Sequence, residues 1–348
     1  MGERESEFKL KNYFFKYYDS WTLRSPELLQ SREIGYIPFF GTMTRHRKVN
    51  STKEMDSFVK SAVPRHLYYS SAYYRKPDEK RMQDKEWLGA ELIFDLDADH
   101  VETGRKITYE QTLALIKEHT IRLIDKFLIK TLGFDESEIK VFFSGGRGYH
   151  VHILSERVYS MTSDSRREIA SYIRGEGVTL DEFLKTYKST PLDHGGWAQE
   201  VAWTILSEMG PSPSGNGKIS DQVMDLKSAG VRKQKAVAKA IEEMKSANMA
   251  EIDEPVTTDV HRLIRYPGSL HGKTGFEVKE VALDDLPSFE PLMECIPEIF
   301  TVGEEEIEVP APFKISLLDE KHELARGKNT VPLHVALYSV LSGKAQFI

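Results

Sequence analysis

Two carboxylates spaced i, i+2 follow directly on an apolar run in the stretch Leu92-Ile-Phe-Asp95-Leu-Asp97. In a β-strand, side chains alternate between the two faces, so Asp95 and Asp97 project from one face while Leu96 points into a core. Two neighbouring carboxylates repel each other unless a cation lies between them, and Mg²⁺ is often held by carboxylates together with substrate phosphates. The pair predicts a metal site for phosphoryl or nucleotidyl transfer, and the alternative is a strand that ends in a solvated acidic turn.

A glycine-rich turn between two apolar segments is the second candidate. The stretch Ser144-Gly-Gly-Arg147-Gly-Tyr-His150 joins predicted strands at 139–143 and 151–154. Glycines permit positive φ and close backbone approach to an anion, and a hydroxyl, a guanidinium and an imidazole all suit phosphate oxygens. The turn therefore predicts a phosphate-binding loop, and the alternative is an ordinary hairpin connector with incidental polar residues.

A third group of polar residues lies between residues 253 and 275. Asp253 opens a stretch that we expect to be extended, and Arg262 and Arg265 follow it in a short helix or strand. A Pro-Gly turn then presents His271. Cations and a histidine grouped in this way could grip a triphosphate, or they could pair with nearby acids, as most surface arginines do.

Helices and strands alternate around these three groups, so the fold class is predicted to be α/β in the mixed, α+β sense. Helical patterns dominate residues 163–249, which we expect to form a small helical insert in a catalytic domain of residues 1–162 and 250–348. Strands are predicted over 31–41, 66–74, 91–97, 139–143, 151–154, 276–281 and 313–318; helices over 8–20, 58–64, 108–132, 165–174, 180–187, 197–209, 229–249 and 331–341; and a breaker loop over 211–217.

Composition sets limits on the class of protein. The chain has 348 residues, a net charge of −7 and one cysteine, Cys295, which excludes an internal disulfide and a multi-cysteine metal site. No apolar run approaches ~18 residues and the N-terminus has no apolar signal region, so we expect a cytoplasmic protein without a membrane span. Acidic residues are concentrated in 280–312, which we expect to be a solvated surface. Basic residues are concentrated at 45–48, so the negative net charge does not exclude a locally basic groove that binds a polyanion.

The three groups together resemble the catalytic small subunit of the archaeo-eukaryotic DNA primases, of the archaeal type, in residue types, order and approximate spacing. The likeness also includes Arg32-Glu-Ile-Gly near the start and extends to about Leu292. It implies a mixed-sheet primase catalytic domain that transfers nucleotides from NTPs, and optionally dNTPs, to make short primers on single-stranded DNA for replication.

The resemblance also implies roles for eight residues and a partner. Three aspartates would hold two Mg²⁺ or Mn²⁺ ions, namely Asp95, Asp97 and Asp253. Five residues would bind the nucleotide, namely Ser144, Arg147, His150, Arg265 and His271. A larger iron–sulfur subunit would form a heterodimer with the chain. Family members usually carry a zinc knuckle after the paired aspartates, but the segment 101–108 contains no cysteine or histidine, so no structural zinc is expected.

Three other functions stay open at this point. A related primase-polymerase acting in repair would share the metal site but would extend existing primers better than it starts new ones. A metal-dependent sugar-nucleotide glycosyltransferase also uses Asp-x-Asp. A non-catalytic nucleic-acid-binding subunit would not need three aspartates.

Overall fold

Helices and short antiparallel sheets make up the computed structural model, which describes residues 2–20, 24–98, 107–187, 196–210 and 219–348. Two predicted features fall outside these ranges: most of the segment where a zinc knuckle would lie, residues 101–106, and the breaker loop 211–217. The mixed helix-and-sheet fold class is confirmed.

The helices and strands have the following bounds. The helices are α1 (Glu3–Asp19), α2 (Thr52–Ala62), α3 (Tyr109–Arg122), α4 (Glu156–Tyr159), α5 (Ser163–Ile173), α6 (Leu180–Thr186), α7 (Gly196–Met209), α8 (Ile219–Ser228), α9 (Val231–Asn248), α10 (Glu254–Thr258), α11 (Pro291–Glu294) and α12 (Leu333–Leu341). The strands are β1 (Ile34–Ile37), β2 (Thr44–Arg47), β3 (His66–Ser70), β4 (Ala72–Tyr74), β5 (Trp87–Ala90), β6 (Leu92–Asp97), β7 (Ile139–Phe143), β8 (Gly148–Ile153), β9 (Leu263–Arg265), β10 (Lys279–Val281), β11 (Glu304–Val309), β12 (Phe313–Leu317), β13 (Glu320–Leu324), β14 (Gly327–Pro332) and β15 (Gln346–Phe347).

Two four-stranded sheets contain four of the eight candidate residues, namely Asp95, Asp97, His150 and Arg265. Their strand orders are β2-β1-β3-β9 and β10-β7-β8-β6, and every pairing in them is antiparallel. In the second sheet, the edge strand β6 pairs with β8 so that Asp95 lies opposite His150 and Asp97 lies opposite Gly148. The register therefore brings the paired carboxylates next to the end of the glycine turn.

The buried apolar residues form two main clusters. The larger one includes Leu92, Phe94 and Leu96 of β6 together with residues of both sheets, α1, α3 and α12. The smaller one lies within α6 to α9 and the residue after α6; its members are Leu180, Phe183, Tyr187, Val201, Ala202, Ile205, Val223, Leu226, Val237 and Ile241. Helices α6 to α9, which lie within the predicted insert, thus share an apolar cluster of their own.

Several predicted elements differ from the structure for identifiable reasons. The strand predicted at 66–74 is two strands, because the chain breaks at Ser71, whose backbone N–H donates to the Arg262 carbonyl. The stretch after Asp253 was expected to be extended but is the helix α10. The helix predicted at 331–341 begins at Leu333, because the preceding residues complete β14 against β11.

The acidic stretch 280–312 was predicted as a solvated surface, and part of it is the strand β11. Its glutamates at 304, 306 and 308 are exposed, whereas Ile307 and Val309 are fully buried. An alternating strand satisfies both patterns, since its two faces meet solvent and core respectively.

Candidate active site

Strand β6 presents two of the three candidate aspartates on one face. Asp95 and Asp97 keep 20% and 30% of their side-chain surface exposed, whereas Leu96 between them is fully buried. The alternation expected of a strand is therefore confirmed at these positions.

The third aspartate reaches β6 through the backbone. Asp253 is the N-cap residue of α10, and its backbone N–H donates to the Asp95 carbonyl at 2.8 Å. Helix α10 also packs against both β6 and α5. The chain therefore returns from the helical insert directly beside the paired carboxylates, and the structure brings Asp95, Asp97 and Asp253 together.

Crowding of these carboxylates changes the acidity of Asp95. Burial, and then the nearby charges of Asp97 and Asp253, raise its pKa to about 7, while Arg262 and Arg265 oppose the shift. Three carboxylates that cannot all be charged without cost are a donor set that fits a hard divalent cation. In the part of the chain that the structure describes, no three His, Cys, Asp or Glu side chains already converge as a metal cage, so these carboxylates would have to draw closer around an ion.

The glycine turn between β7 and β8 is held in a defined shape. The Ser144 hydroxyl accepts a hydrogen bond from the Gly146 backbone N–H at 3.3 Å, and Gly145 has a positive φ of 76°. A Cβ atom at Gly145 would lie 2.7 Å from the Cβ of His271, so only glycine fits there. The Thr274 hydroxyl donates to the Gly145 carbonyl and fastens the turn to the loop that carries His271.

Two residues from this turn and strand β8 face the carboxylates. An Nη atom of Arg147 lies 3.6 Å from Asp97 Oδ1, and nearly half of its side chain is exposed. His150 is buried, and its Nε2 lies 3.7 Å from Asp95 Oδ1. Burial, and then the neighbouring His152, Arg265 and Arg262, hold the pKa of His150 well below its ordinary value, so this imidazole is neutral near pH 7.

Arg265 and His271 join the site from β9 and from the loop after it, and His271 packs against the glycine turn. Burial lowers the pKa of Arg265, although Tyr68, Asp95 and Asp97 favour its charge. Its guanidinium lies 2.8 Å from His66 Nδ1, and the rings of His66 and His271 lie 5.4 Å apart. Burial, and then the charges of Arg265 and its neighbours, depress the pKa of His271 well below its usual range. The five predicted nucleotide-binding residues therefore surround the same site.

One residue of the site, His66, was missed as a candidate from the sequence, whereas Arg262 was considered there only as one of the cations of the third group. His66 Nδ1 is approached by both Arg265 and the Gly272 backbone N–H, and burial lowers its pKa to about 3. Arg262 lies close enough to Asp95 to lower its pKa. Strand alternation could have placed His66 and Tyr68 on one face, but the pairing of Tyr68 with Arg265 joins strands nearly 200 positions apart.

A buried ion network ties the two sheets together behind the site. The Arg32 guanidinium donates to Glu91 and to the Ser70 carbonyl, and His152 Nδ1 lies 2.8 Å from the other Glu91 oxygen. Although burial alone would raise the pKa of Glu91, Arg32 and His152 hold it at about 2. The network fixes the start of β6 against β1, β3 and β8.

The sequence predicted neither a structural zinc site nor a membrane span. Cys295 is buried and has a raised pKa because of burial. Most of the segment where a zinc knuckle would lie is outside the described residues. Among the helices that are described, none combines the length and the apolar character that crossing a membrane requires.

Comparison with known proteins identifies the family. A family model described as DNA primase small subunit matches residues 94–283, more than half of the chain. Proteins named DNA primase small subunit PriS are similar over nearly their full length. The one from Thermoplasma volcanium is 46% identical over 100% of both chains, and the one from Picrophilus torridus is 43% identical over 95% of both. The one from Thermoplasma acidophilum is 40% identical over 96% of this chain and 98% of the relative.

Among solved structures, one that matches is the polymerase domain of Mycobacterium tuberculosis ligase D in complex with DNA, and the alignment covers 82% of this chain and 84% of the ligase D chain. The TM-score is 0.35 and the identity 12%, a likeness too distant to bear on the site. The sequence relatives alone identify the family, since they are archaeal and match at least 95% of this chain. They exclude the glycosyltransferase and the non-catalytic subunit as alternatives. The chain belongs to the DNA primase small subunit family, and its activity is that of a DNA primase, a nucleotidyltransferase.

Proposed function

We propose that the chain makes short primers on single-stranded DNA by metal-dependent transfer of nucleotides from NTPs, with dNTPs as optional substrates. One observation carries the proposal: strand β6 pairs with β8 so that the Asp95–Asp97 pair lies against the end of the glycine turn, with Asp253 bonded to the same strand. Carboxylates for cations and a cradle for phosphates therefore share one edge of a sheet.

The three aspartates are proposed as ligands of two Mg²⁺ or Mn²⁺ ions. When bound, such ions supply charge neutralisation at the triphosphate and lower the pKa of the attacking 3′-hydroxyl. Asp95 and Asp97 hold their positions through the β6–β8 pairing, and Asp253 holds its position through its backbone bond to Asp95. Because burial and mutual repulsion raise the pKa of Asp95, a cation would also restore its charged form.

The phosphate-binding residues divide into charged and neutral donors. Arg147 and Arg265 bring fixed positive charge to the triphosphate, which favours the departing pyrophosphate as its charge grows. His150 and His271 are held neutral by burial, so they orient the phosphates through hydrogen bonds rather than through charge. The Ser144 hydroxyl and the glycine backbone complete the cradle.

The partner and the compartment belong to the same proposal. The relatives are named small subunits, which supports a larger partner subunit for this chain. We propose that this partner is an iron–sulfur subunit and that the two form a heterodimer. We also place the enzyme in the cytoplasm and assign it to replication rather than to repair.

A primer-synthesis assay tests the proposed function. The purified chain is incubated with unprimed single-stranded DNA, labelled ribonucleotides and Mg²⁺ or Mn²⁺, and the products are separated by length. New short chains that disappear on addition of a chelator are expected. If existing primers were extended while unprimed template gave no product, a repair primase-polymerase would replace the replicative role; if neither occurred, the proposed function would be wrong.

A further inference from the structure

Helix α1 carries a stripe of alternating cations and aromatic rings on its outer face. Arg4, Phe8, Lys11 and Phe15 follow one another at steps of four, three and four residues, which places them on one side of a helix. Phe8 keeps 54% and Phe15 43% of its surface exposed. The opposite face is buried in the core through residues that include Leu10, Phe14 and Tyr18. We call the four outer residues the α1 stripe.

One ring of the stripe is fixed by a neighbour on another element. The Phe8 ring packs against the Phe40 ring with centroids 4.7 Å apart and planes inclined at 47°. Phe40, in the turn between β1 and β2, is itself 42% exposed, and Met43 beside it is 40% exposed. Two rigid rings therefore stand in solvent at the N-terminal end of the stripe.

A chain of contacts joins the stripe to the loop that carries His271. Glu7, adjacent to Phe8, lies 3.1 Å from Arg65, and the Arg65 Nε–H donates to the Gly272 carbonyl at 3.0 Å. At the other end of the helix, the Tyr17 hydroxyl donates to the Gly268 carbonyl. Both ends of α1 are thus connected to the segment 268–272, which includes His271.

The charged side chains at and near the α1 stripe favour a polyanion as its ligand. Of the two glutamates nearest the stripe, Glu7 is paired with the cation Arg65, whereas Glu5 accepts a hydrogen bond from the Gly2 backbone N–H and keeps its charge. Arg4 is exposed and Lys11 is partly exposed. A cation therefore lies beside each aromatic ring, and a purely apolar protein partner would leave both cations buried without a counter-charge.

We propose that the α1 stripe is a binding track for single-stranded nucleic acid, on which bases of the template stack while its phosphates meet Arg4 and Lys11. Aromatic side chains interleaved with cations are the combination that single strands bind without sequence preference. Phe8 and Phe15 are about 10 Å apart along the helix axis, roughly three base steps. The inference rests on the single-stranded template of the proposed function and adds the surface that carries this template outside the catalytic pocket.

Binding of a fluorescent oligo(dT) of about 20 nucleotides to the full chain, measured by anisotropy across a salt series, tests the track. The double variant Phe8→Leu/Phe15→Leu keeps the apolar surface but removes the stacking faces, so affinity is expected to fall about ten- to a hundredfold. Phe8→Trp/Phe15→Trp should bind within about threefold of the natural chain. Arg4→Gln/Lys11→Gln should lower the slope of log affinity against log salt by about 1.4, at roughly 0.7 per charge.

Matched controls come from the helical insert. Trp203 is 56% exposed on α7, and Arg232 and Lys235 are exposed on α9. Trp203→Leu and Arg232→Gln/Lys235→Gln remove the same groups from another surface and are expected to leave both affinity and salt slope unchanged. At saturating template, the KM for nucleotide of the stripe variants should stay within about twofold of the natural value, because the stripe does not touch the phosphate cradle.

The outcomes separate this inference from the proposed function. If the natural chain makes primers and binds oligo(dT) but the stripe variants bind as well as the controls, the track is overturned while the function stands. If the leucine variants bind DNA normally and the glutamine variants lose only a large-subunit partner, the stripe is a protein interface and the inference is wrong. A natural chain that neither binds oligo(dT) nor makes primers contradicts the proposed function itself.

Discussion

In the site, negative charge lies on the proposed metal ligands, and positive charge lies on the arginines among the proposed phosphate ligands. Among the carboxylates, burial and repulsion raise the pKa of Asp95. Among the nitrogen donors, burial depresses the pKa of His150 and His271, so the arginines carry the positive charge. A cation–phosphate contact is worth about 1.5–3 kcal/mol and a neutral hydrogen bond about 0.5–1.5 kcal/mol. Replacing an arginine among the phosphate-binding residues should therefore lower activity more than replacing a histidine.

The first prediction compares Arg147→Ala with His271→Ala. Loss of the guanidinium should lower kcat/KM for nucleotide about ten- to a hundredfold, with a higher KM and a lower kcat, because the phosphates gain charge as pyrophosphate leaves. Loss of the neutral imidazole should cost about two- to tenfold. Nucleotide kinetics and oligonucleotide affinity are measured together, with the exposed Arg81→Ala as control. Weaker DNA binding with unaltered nucleotide kinetics would move either residue into a template groove instead.

Some of the site could be predicted residue by residue, and some could not. The shared face of Asp95 and Asp97 follows from the period of a strand, and the structure confirms it. The position of Asp253 depends on a backbone bond to Asp95 across the whole helical insert, so no local pattern reveals it. His66 was missed for the same reason, since its contacts come from β9 and the following loop.

At the scale of elements, the close approach of β6 and β8 sets the geometry of the carboxylates. A Cβ atom added at Gly148 would lie 1.9 Å from the Leu96 carbonyl oxygen and 2.9 Å from Asp97 Cα. Any side chain there would have to push the two strands apart. Strand positions were well predicted along this sheet, whereas this requirement for glycine depends on the register of pairing, which the sequence does not display.

The second prediction is that Gly148→Ala lowers both stability and activity. We expect a loss of about 1–3 kcal/mol in the free energy of unfolding, as for other overpacked sites, together with at least a tenfold loss of nucleotide incorporation. Denaturant unfolding and the primer assay measure the two effects. Gly230→Ala is the control, because a Cβ atom there meets nothing within 4 Å. An active, fully stable Gly148→Ala chain would show that the β6–β8 spacing is not critical.

The helices between residues 163 and 249 are the second feature at the scale of elements. We propose that residues 163–249 are inserted into a catalytic frame of residues 1–162 and 250–348, and the separate apolar cluster in α6 to α9 supports this division. Helix α5 and Trp197 pack instead on the main core and would anchor the insert to the frame. The insert carries none of the eight predicted site residues.

The third prediction follows from that separation. Ile205 is fully buried in the smaller cluster, so Ile205→Ala should destabilise the insert by about 2–5 kcal/mol. Amide exchange should rise in α6 to α9, while nucleotide incorporation by the folded protein should change less than twofold. Val151→Ala, in the main core, is the comparison and should affect both. Global loss of protection in Ile205→Ala would show that the insert does not fold as a separate unit.

At the scale of the whole molecule, the Arg32–Glu91–His152 network joins the two sheets that flank the site. The sequence offered Arg32 only as part of a family likeness, and the structure gives it a supporting position, fully buried and bonded to Glu91 and three backbone carbonyls. Because Glu91 has a depressed pKa in the fold, its contribution to stability is complete above its unfolded value, about 4.3, and is lost as pH falls towards about 2.

The fourth prediction concerns that pH window. Glu91→Gln should destabilise the protein by about 3 kcal/mol between pH 5 and 8, because a buried arginine loses its counter-charge. The difference from the natural chain should shrink as pH falls from about 4 to 2, as measured by denaturant unfolding. The exposed pair Glu323–Lys314 provides the control Glu323→Gln, for which almost no difference is expected at any pH. A difference that persists unchanged at pH 2 would contradict the ionic role of Glu91.

The whole account depends on three carboxylates from distant parts of the chain that act as one metal site. The most direct test pairs Asp253→Asn with Asp259→Asn, an exposed aspartate at the other end of α10. Nucleotide incorporation and the rise in melting temperature on adding Mn²⁺ are measured for both. We predict that Asp253→Asn loses incorporation at least a thousandfold and loses the Mn²⁺-dependent rise without unfolding, while Asp259→Asn keeps both. Natural turnover and a natural response to Mn²⁺ in Asp253→Asn would contradict the three-carboxylate site.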